Sequence, residues 1–360
     1  MRLLIVEDDK PTIQSYQDNI ESFNKTSNTK IIAVIKENIN SAKEALISPD
    51  YDAAIVDLKL SSNTTELKGL EIVEEINDKL RFPLFIVSGS IGQIHYEENA
   101  FFKKRSRDGD FKAVLNELMS IYNTGITKIL GKSGQINDYL NIIFWKHLSN
   151  SLDLWINDEK RDSEEKQKSL LRYTLLHIQE YLELSKDSDF EDYHPAEVYI
   201  IPTIKERLFT GDIVIENGTN QKYIVLTPSC DMAQRKAKDF LLVNIENIDT
   251  GLINEKLNLI KKGNAKQEEL DEAKETIRAL ISNSYSNKYH FLPKYKEIKA
   301  GLINFQKLRS IRQKEFEISF KILASTNSSF TKDIIARFSY YYSRQGSPDF
   351  NIDEVYESLF

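Results

Sequence analysis

"LLIVEDDKPT", residues 3–12, sets a four-residue apolar run against Glu7, Asp8 and Asp9, with Pro11 close behind. A short continuous apolar run reads as a strand buried on both faces, and a proline just beyond it suits the first turn of a helix. Adjacent carboxylates at the end of a buried strand repel one another, so they need a cation among them or full solvation. Paired acids are also common helix-start residues, where they complement the positive end of the helix dipole. The strands that follow discriminate between these readings.

"KIIAVI" (30–35), "DAAIVDLKL" (52–60), "PLFIVSGS" (83–90) and the short "AFFKK" (100–104) read as further strands. Between them "INSAKEALIS", "GLEIVEEINDKL" (69–80) and "DFKAVLNELMSIYN" (110–123) carry helical spacing. Helices alternating with continuous apolar strands predict an α/β domain over residues 1–125, a doubly wound parallel sheet covered on both faces. In such a sheet polar ligands gather at the carboxyl ends of the strands. Those ends carry Glu7 and Asp8, Asp57, Ser88, and the pair Lys103 and Lys104. Three carboxylates brought together by the first and third strands make a hard, oxygen-rich site, for which Mg2+ is the expected occupant. Asp57 stands alone at its strand end. With a lysine and a hydroxyl in reach, it is equipped for in-line attack on a phosphoryl group.

"LLIVEDD", "AAIVDLKL", "GLEIVEEI", "FIVSGS" and "AFFKK" occur here in an order that resembles the receiver domain of two-component response regulators, over residues 1 to about 124. The resemblance implies a flavodoxin-like fold and a sensor histidine kinase as phosphoryl donor. It makes Asp57 the phosphoacceptor, Asp8 a direct magnesium ligand and Glu7 an acidic partner acting through water. Lys59 would offer its backbone carbonyl to the ion. Ser88 takes the switch-hydroxyl position, Lys104 the lysine position with Lys103 as the alternative, and Phe101 that of the switch aromatic. Departures from the family pattern are specific: Ser61 replaces a proline, Gly69 comes late, and Arg105 stands where a cis-proline is customary. The loop "SSNTTELK" is therefore expected to be long. The stretch from Ser88 to the lysine is short, so the fourth helix is expected to be reduced or lost.

The remaining two thirds of the chain carries no familiar output signature. Residues 126–195 read as a helical connector of two antiparallel helices, with Trp145, Leu148, Leu152 and Trp155 on one apolar face. Residues 196–360 read as a small SH3-like β-barrel domain, with a helical hairpin inserted at about 254–282, broken at Gly263, and a C-terminal helix. That helix is tyrosine-rich, with Phe338, Tyr340, Tyr341 and Tyr342 suited first to core packing and second to a partner surface. "TPSCDMAQ" (227–234) offers Cys230 as a nucleophile with His290 or His194 as base and Asp231 as orienter, against the plainer reading of a thiol at a strand end. His194 and Glu197 could likewise serve a site or a domain junction. The combination of "YHPAEVYIIP", "VLTPSCD" and "ARFSYYYSRQGSPD" with a divergent receiver is similar to proteins of bacterial anti-phage defence loci.

Composition narrows the partners. A net charge of −7 disfavours a general nucleic-acid or anionic-membrane binder, and the single cysteine excludes an intrachain disulfide or a multi-thiolate zinc site. No window approaches the roughly 18 apolar residues of a membrane span, so a cytoplasmic protein is expected. The sequence thus supports a response regulator that signals through, or buffers phosphate for, a protein partner, with antiviral defence as its setting. The alternatives are a receiver-gated enzymatic effector using Cys230 and a transcriptional regulator with an unrecognised DNA-binding surface.

Overall fold

The computed structural model describes residues 1–47, 51–60, 67, 69–89, 91–93, 96–183, 192–249, 251–262, 265–344 and 350–360. Five parallel strands, β1 (Arg2–Val6), β2 (Ile32–Lys36), β3 (Ala53–Val56), β4 (Leu84–Ser88) and β5 (Phe102–Ser106), pair in the order β2-β1-β3-β4-β5. Successive residues of a strand face opposite ways, and β1 shows the consequence: Leu3 and Ile5 enter one core, Leu4 and Val6 the other. Helices α1 (Lys10–Thr26) and α4 (Phe111–Asn123) close the first core with Tyr16, Ile20, Leu115 and Leu118. Helices α2 (Ile39–Ile47) and α3 (Leu70–Lys79) close the second with Ala42, Leu46, Ile72 and Ile76. This is the doubly wound parallel sheet expected from the apolar runs, in the flavodoxin-like order that the receiver resemblance implies. Asp9 is an N-cap, its carboxylate accepting from Thr12 N at 3.0 Å, so the third acid of "EDD" has the helix-start role.

Between β4 and β5 the described residues form only a short 3-10 turn, Ile91–Gln93. Most of the loop expected at 61–68 lies outside the described residues.

The chain divides into two compact units, residues 1–189 and 190–360. In the first, α5 (Ile126–Leu130) is tied to the sheet domain: Thr127 Oγ1 donates to Asp52 Oδ1 at 3.0 Å, and Arg81 Nε to the Leu130 carbonyl at 2.7 Å. The chain continues through α6 (Gln135–Ile142), a π-helical segment (Ile143–Leu148) and α7 (Ser149–Ile156), and returns antiparallel as α8 (Ser163–Glu183). The π segment divides the apolar face expected there. Trp155 packs edge-on against Tyr173 of α8, with ring centroids 5.8 Å apart, whereas Trp145 is exposed.

The second unit is built on a seven-stranded antiparallel sheet of β6 (Tyr199–Ile200), β7 (Asp212–Glu216), β8 (Lys222–Val225), β9 (Asp239–Asn247), β10 (Tyr289–Leu292), β11 (Gly301–Arg312) and β12 (Phe320–Thr326). Its order, β10-β11-β9-β8-β7-β12-β6, leaves β10 and β6 as the two ends of the paired series. A closed SH3-like barrel is therefore not part of the pairing among the described residues. The twelve-residue β11 and the whole of β12 escape a reading by periodicity, because β11 mixes exposed Gln306, Lys307 and Leu308 with buried Ile303 and Phe305 across a register shift. α9 (Ser229–Ala233) follows β8, while α10 (Gly251–Lys262) and α11 (Gln267–Ile281) form the expected excursion; its break at Gly263 lies outside the described residues. α12 (Gln313–Ser319) joins β11 to β12, and α13 (Ser328–Ser343) covers one face through Ile334, Phe338 and Tyr341. Tyr342 donates to the Phe305 carbonyl at 2.7 Å, while Tyr340 is exposed. The chain ends in α14 (Ile352–Glu357). No helix among the described residues is long and apolar enough to cross a membrane.

Candidate metal centre

The strand order reverses between β1 and β3, and a cluster of acids stands at their carboxyl ends. Asp57 N donates to the Val6 carbonyl at 2.9 Å, which extends the β1–β3 ladder by one residue and fixes Asp57 beside Glu7. Glu7, Asp8 and Asp57 each offer a carboxylate oxygen within 4.8 Å of the others. Glu7 and Asp57 are buried and Asp8 is half-buried. Burial first, and then the Asp57 charge, push the Glu7 carboxyl up to about 7. Burial also raises Asp8.

Among the described residues one cation enters this cluster. Arg107, one residue past β5, places Nη2 3.0 Å from Glu7 Oε2 and 2.7 Å from Asp57 Oδ2. Arg107 thus hydrogen-bonds to Glu7 and forms an ion pair with Asp57 Oδ2, while Asp57 Oδ1 is buried without a partner among the described residues. Burial works against the guanidinium charge, but Asp57 and Glu7 outweigh it and raise the Arg107 pKa. Tyr16, stacked on Phe111 at 4.0 Å, closes the floor with a buried hydroxyl that has no partner among the described residues. Burial, followed by the nearby Glu7 charge, raises its pKa.

An all-oxygen donor set in which the buried Asp57 Oδ1 has no partner among the described residues fits a hard divalent cation. Ser88 is buried at the end of β4, and its carbonyl accepts from Arg107 N at 3.4 Å. Lys59 is exposed, two residues past Asp57. Gly69 rests on the backbone of the same turn: a Cβ there would lie 2.1 Å from the Asp57 carbonyl oxygen.

The lysines and the aromatic expected at this site stand elsewhere. In the β4–β5 register Ser88 pairs with Ser106, while Lys104 pairs with Ile86 and Lys103 with Phe85. Lys104 is thus three residues short of Arg107, roughly 10 Å along a strand, and its ammonium donates to the Tyr96 carbonyl at 3.1 Å. Lys103 lies one residue further back. Phe101 precedes β5, accepting from Leu84 N at the opposite end of β4, and lines an apolar cavity of about 300 Å³ with Ile76, Leu80 and Leu130. Among the described residues the cation at the carboxyl edge is Arg107, and the signal that could have found it is the strand register, which "FFKKRSR" does not fix.

Nor are Cys230 and His290 brought together. His290, buried on β10, bonds through Nε2 to Asp333 Oδ2 of α13 at 3.0 Å and holds that carboxyl below its ordinary value. Leu292, two residues along the same strand, belongs to the core under α13. The helix of Cys230 instead sends Met232 into a separate core with Phe240 and Phe316. The thiol is exposed, 3.8 Å from Asp231 Oδ1. His194 and Glu197 cap a single 3-10 turn, Pro195–Val198, reciprocally: His194 Nδ1 accepts from Ala196 N and Glu197 Oε1 from His194 N.

The Glu7 environment fixes a pH dependence. A carboxyl raised from its ordinary 4.5 to about 7 by folding stabilises the folded state fully below pH 4.5, and that contribution is lost as pH rises through 7. In chelator, unfolding free energy is expected to fall by at most about 3 kcal/mol from this group over that range. Urea titrations at several pH values should show the fall in wild type and a smaller one in Glu7→Gln, where Asp8 still contributes. The same slope in both proteins assigns it to another group.

No protein-family model matches the sequence. No curated protein matches it either. Among solved structures, the chain is similar to a CheY-like response regulator receiver domain from Methylobacillus flagellatus, at 22% identity over 34% of this chain and 98% of that one, with a TM-score of 0.27. It is also similar to a response regulator protein from Thermotoga maritima in complex with Mg2+ and BeF, at 18% identity over 33% of this chain and 97% of that one, with a TM-score of 0.26. A third similarity is to the MazE–MazF structure from Deinococcus radiodurans, at 10% identity over 39% of this chain and 100% of that one, with a TM-score of 0.24.

Proposed function

We propose that residues 1 to about 124 act as a receiver domain, in which Asp57 accepts a phosphoryl group from the phosphohistidine of a sensor histidine kinase. The observation that carries this reading is a buried carboxylate with one oxygen ion-paired to an arginine and the other unpartnered among the described residues, set beside two further acids at the strand-order reversal. Glu7, Asp8, Asp57 and the Lys59 carbonyl would hold Mg2+, which when bound neutralises charge on the phosphoryl oxygens. An Asp57 oxygen attacks phosphorus in line, the phosphorus–nitrogen bond of the donor breaks, and the imidazole takes up a proton. Arg107 serves where a lysine was expected, directing a guanidinium at the anionic product. Ser88 donates a hydrogen bond to it.

For the output we propose a protein-binding or phosphate-buffering role of the second unit, since Cys230 and His290 belong to separate environments there. A setting in phage defence is supported by the short sequence motifs alone. Incubation with acetyl phosphate or a phosphorylated kinase and magnesium should add one phosphoryl group by mass. Asp57→Asn should abolish it. A modified Asp57→Asn protein, or a wild type that stays unmodified with every donor, removes the reading.

A further inference from the structure

We infer that the antiparallel helical pair of residues 135–183 is a self-association element, whose one broad apolar face packs against the same face of a second copy to complete a four-helix bundle.

Two stripes run along the first arm of this pair. Tyr139, Ile143, His147, Ser151 and Trp155 form the inner one: the Tyr139 ring stacks on Tyr181, His147 lies against His177, and Trp155 against Tyr173. Leu140, Phe144, Leu148, Leu152 and Ile156 form the outer one, each a single residue further on. A four-residue spacing drifts by roughly 40° per step on an ordinary α-helix. The wider turn of the π-helical segment Ile143–Leu148 rotates the stripe back, so it stays on one side over the whole arm.

On α8 the pattern repeats. The inner residues Leu170, Thr174, His177 and Tyr181 are half-buried, and each is followed by an outer apolar residue: Leu171, Leu175, Ile178 and Leu182. That outer series has the 4-3-4 spacing of a coiled-coil seam. On both arms the outer stripe is offset from the inner by one residue, roughly 100° in the same rotational sense. In an antiparallel pair, two such offsets point to the same broad side. All nine outer positions are apolar, and most are more than half exposed, Leu182 at 65% and Leu171 at 61%. Apart from Ile143, no side chain of these helices is fully buried.

Area decides the occupant. The nine outer residues expose roughly 800 Å² of apolar surface, above what a monomer ordinarily leaves in one patch and equal to one partner's share of a standard interface. A flat face of two antiparallel helices meets its own copy across a two-fold axis with every apolar row opposed by another, which is the construction of a four-helix bundle. The pair projects from a fixed base, since α5 is pinned to the sheet domain through Thr127 and Leu130.

The test is the mass of the full chain in solution, by light scattering or sedimentation from about 1 to 100 µM. Wild type is expected at twice the 41.7 kDa of one chain. Phe144→Glu with Leu175→Glu should halve that mass and weaken association at least about a hundredfold. Leu176→Glu changes an exposed leucine one position off the stripe and should leave the dimer intact. Circular dichroism of the variants should match wild type, because the replaced side chains are exposed. A wild type that stays monomeric across this range overturns the inference, whether the face is covered by residues 190–360 or by a different protein. So does a Phe144→Glu/Leu175→Glu protein that keeps the dimer mass, or a Leu176→Glu protein that loses it.

Discussion

Arg107→Ala is expected to lose about 3 kcal/mol of unfolding free energy in chelator and less than about 1 kcal/mol in millimolar magnesium. Removing one partner of a buried ion pair leaves the other charge without compensation, and here two buried carboxylates share that one guanidinium. The estimate sits at the low end of the usual range because the Arg107 side chain is 32% exposed. A divalent cation held by Glu7, Asp8 and Asp57 supplies the missing positive charge, so the deficit should close on adding the metal. Urea titrations of wild type, Arg107→Ala and Arg107→Lys, with and without magnesium, separate the possibilities. An equal loss in both conditions assigns Arg107 to packing rather than charge. No loss in chelator means that water already screens the carboxylates, and the cluster is then an ordinary solvated edge.

The same residue marks where the sequence stopped being informative. β1, β3 and β4 are buried on both faces, so "LLIV", "AAIV" and "LFIVS" leave neither their type nor their ends in doubt, and Glu7, Asp57 and Ser88 follow from the ends. β5 lies at the edge of the sheet, and only Phe102 of its five residues is fully buried. Its Lys103, Lys104 and Arg105 carry no alternation from which a register can be read. Aligning Lys104 with the site placed the strand three residues out; the pairing of Ser88 with Ser106 puts Arg107 there instead. Phe101 shifts with it, from a presumed switch position to the far end of the strand.

In the second unit the difficulty is of another kind. A nucleophile and a base can be named from composition, but their meeting depends on which face of a sheet each side chain takes. His290 is committed to the α13 face through Asp333, forty-three residues away in sequence, a pairing to which no local motif points. The helical pair at 135–183 shows the converse. Its apolar positions were legible, yet a π-helical turn of six residues moved Trp145 and Trp155 apart and turned a single expected face into an inner and an outer one.

Gly69→Ala should be as damaging as any change in the acidic cluster, for a reason that is steric and not conformational. Gly69 has an ordinary helical backbone, φ −59° and ψ −22°, which alanine adopts freely. Its neighbours are the obstacle: an added Cβ would lie 2.1 Å from the Asp57 carbonyl oxygen and 2.8 Å from Leu58 Cα. Neither side can yield cheaply. Asp57 is held by its bond to the Val6 carbonyl, and Gly69 N donates to the Leu58 carbonyl at 3.0 Å. Moving α3 outward would uncover Ile72, Val73 and Ile76. A cost of about 3 kcal/mol follows from overpacking against fixed backbone, together with loss of phosphoryl acceptance as Asp57 shifts. Gly89 is the control, since nothing lies within 4 Å of a Cβ there; Gly89→Ala should stay within about 0.5 kcal/mol of wild type. A Gly69→Ala protein with wild-type stability and full labelling would mean that α3 slides freely on the Asp57 turn, and that the glycine does not hold the acceptor in place.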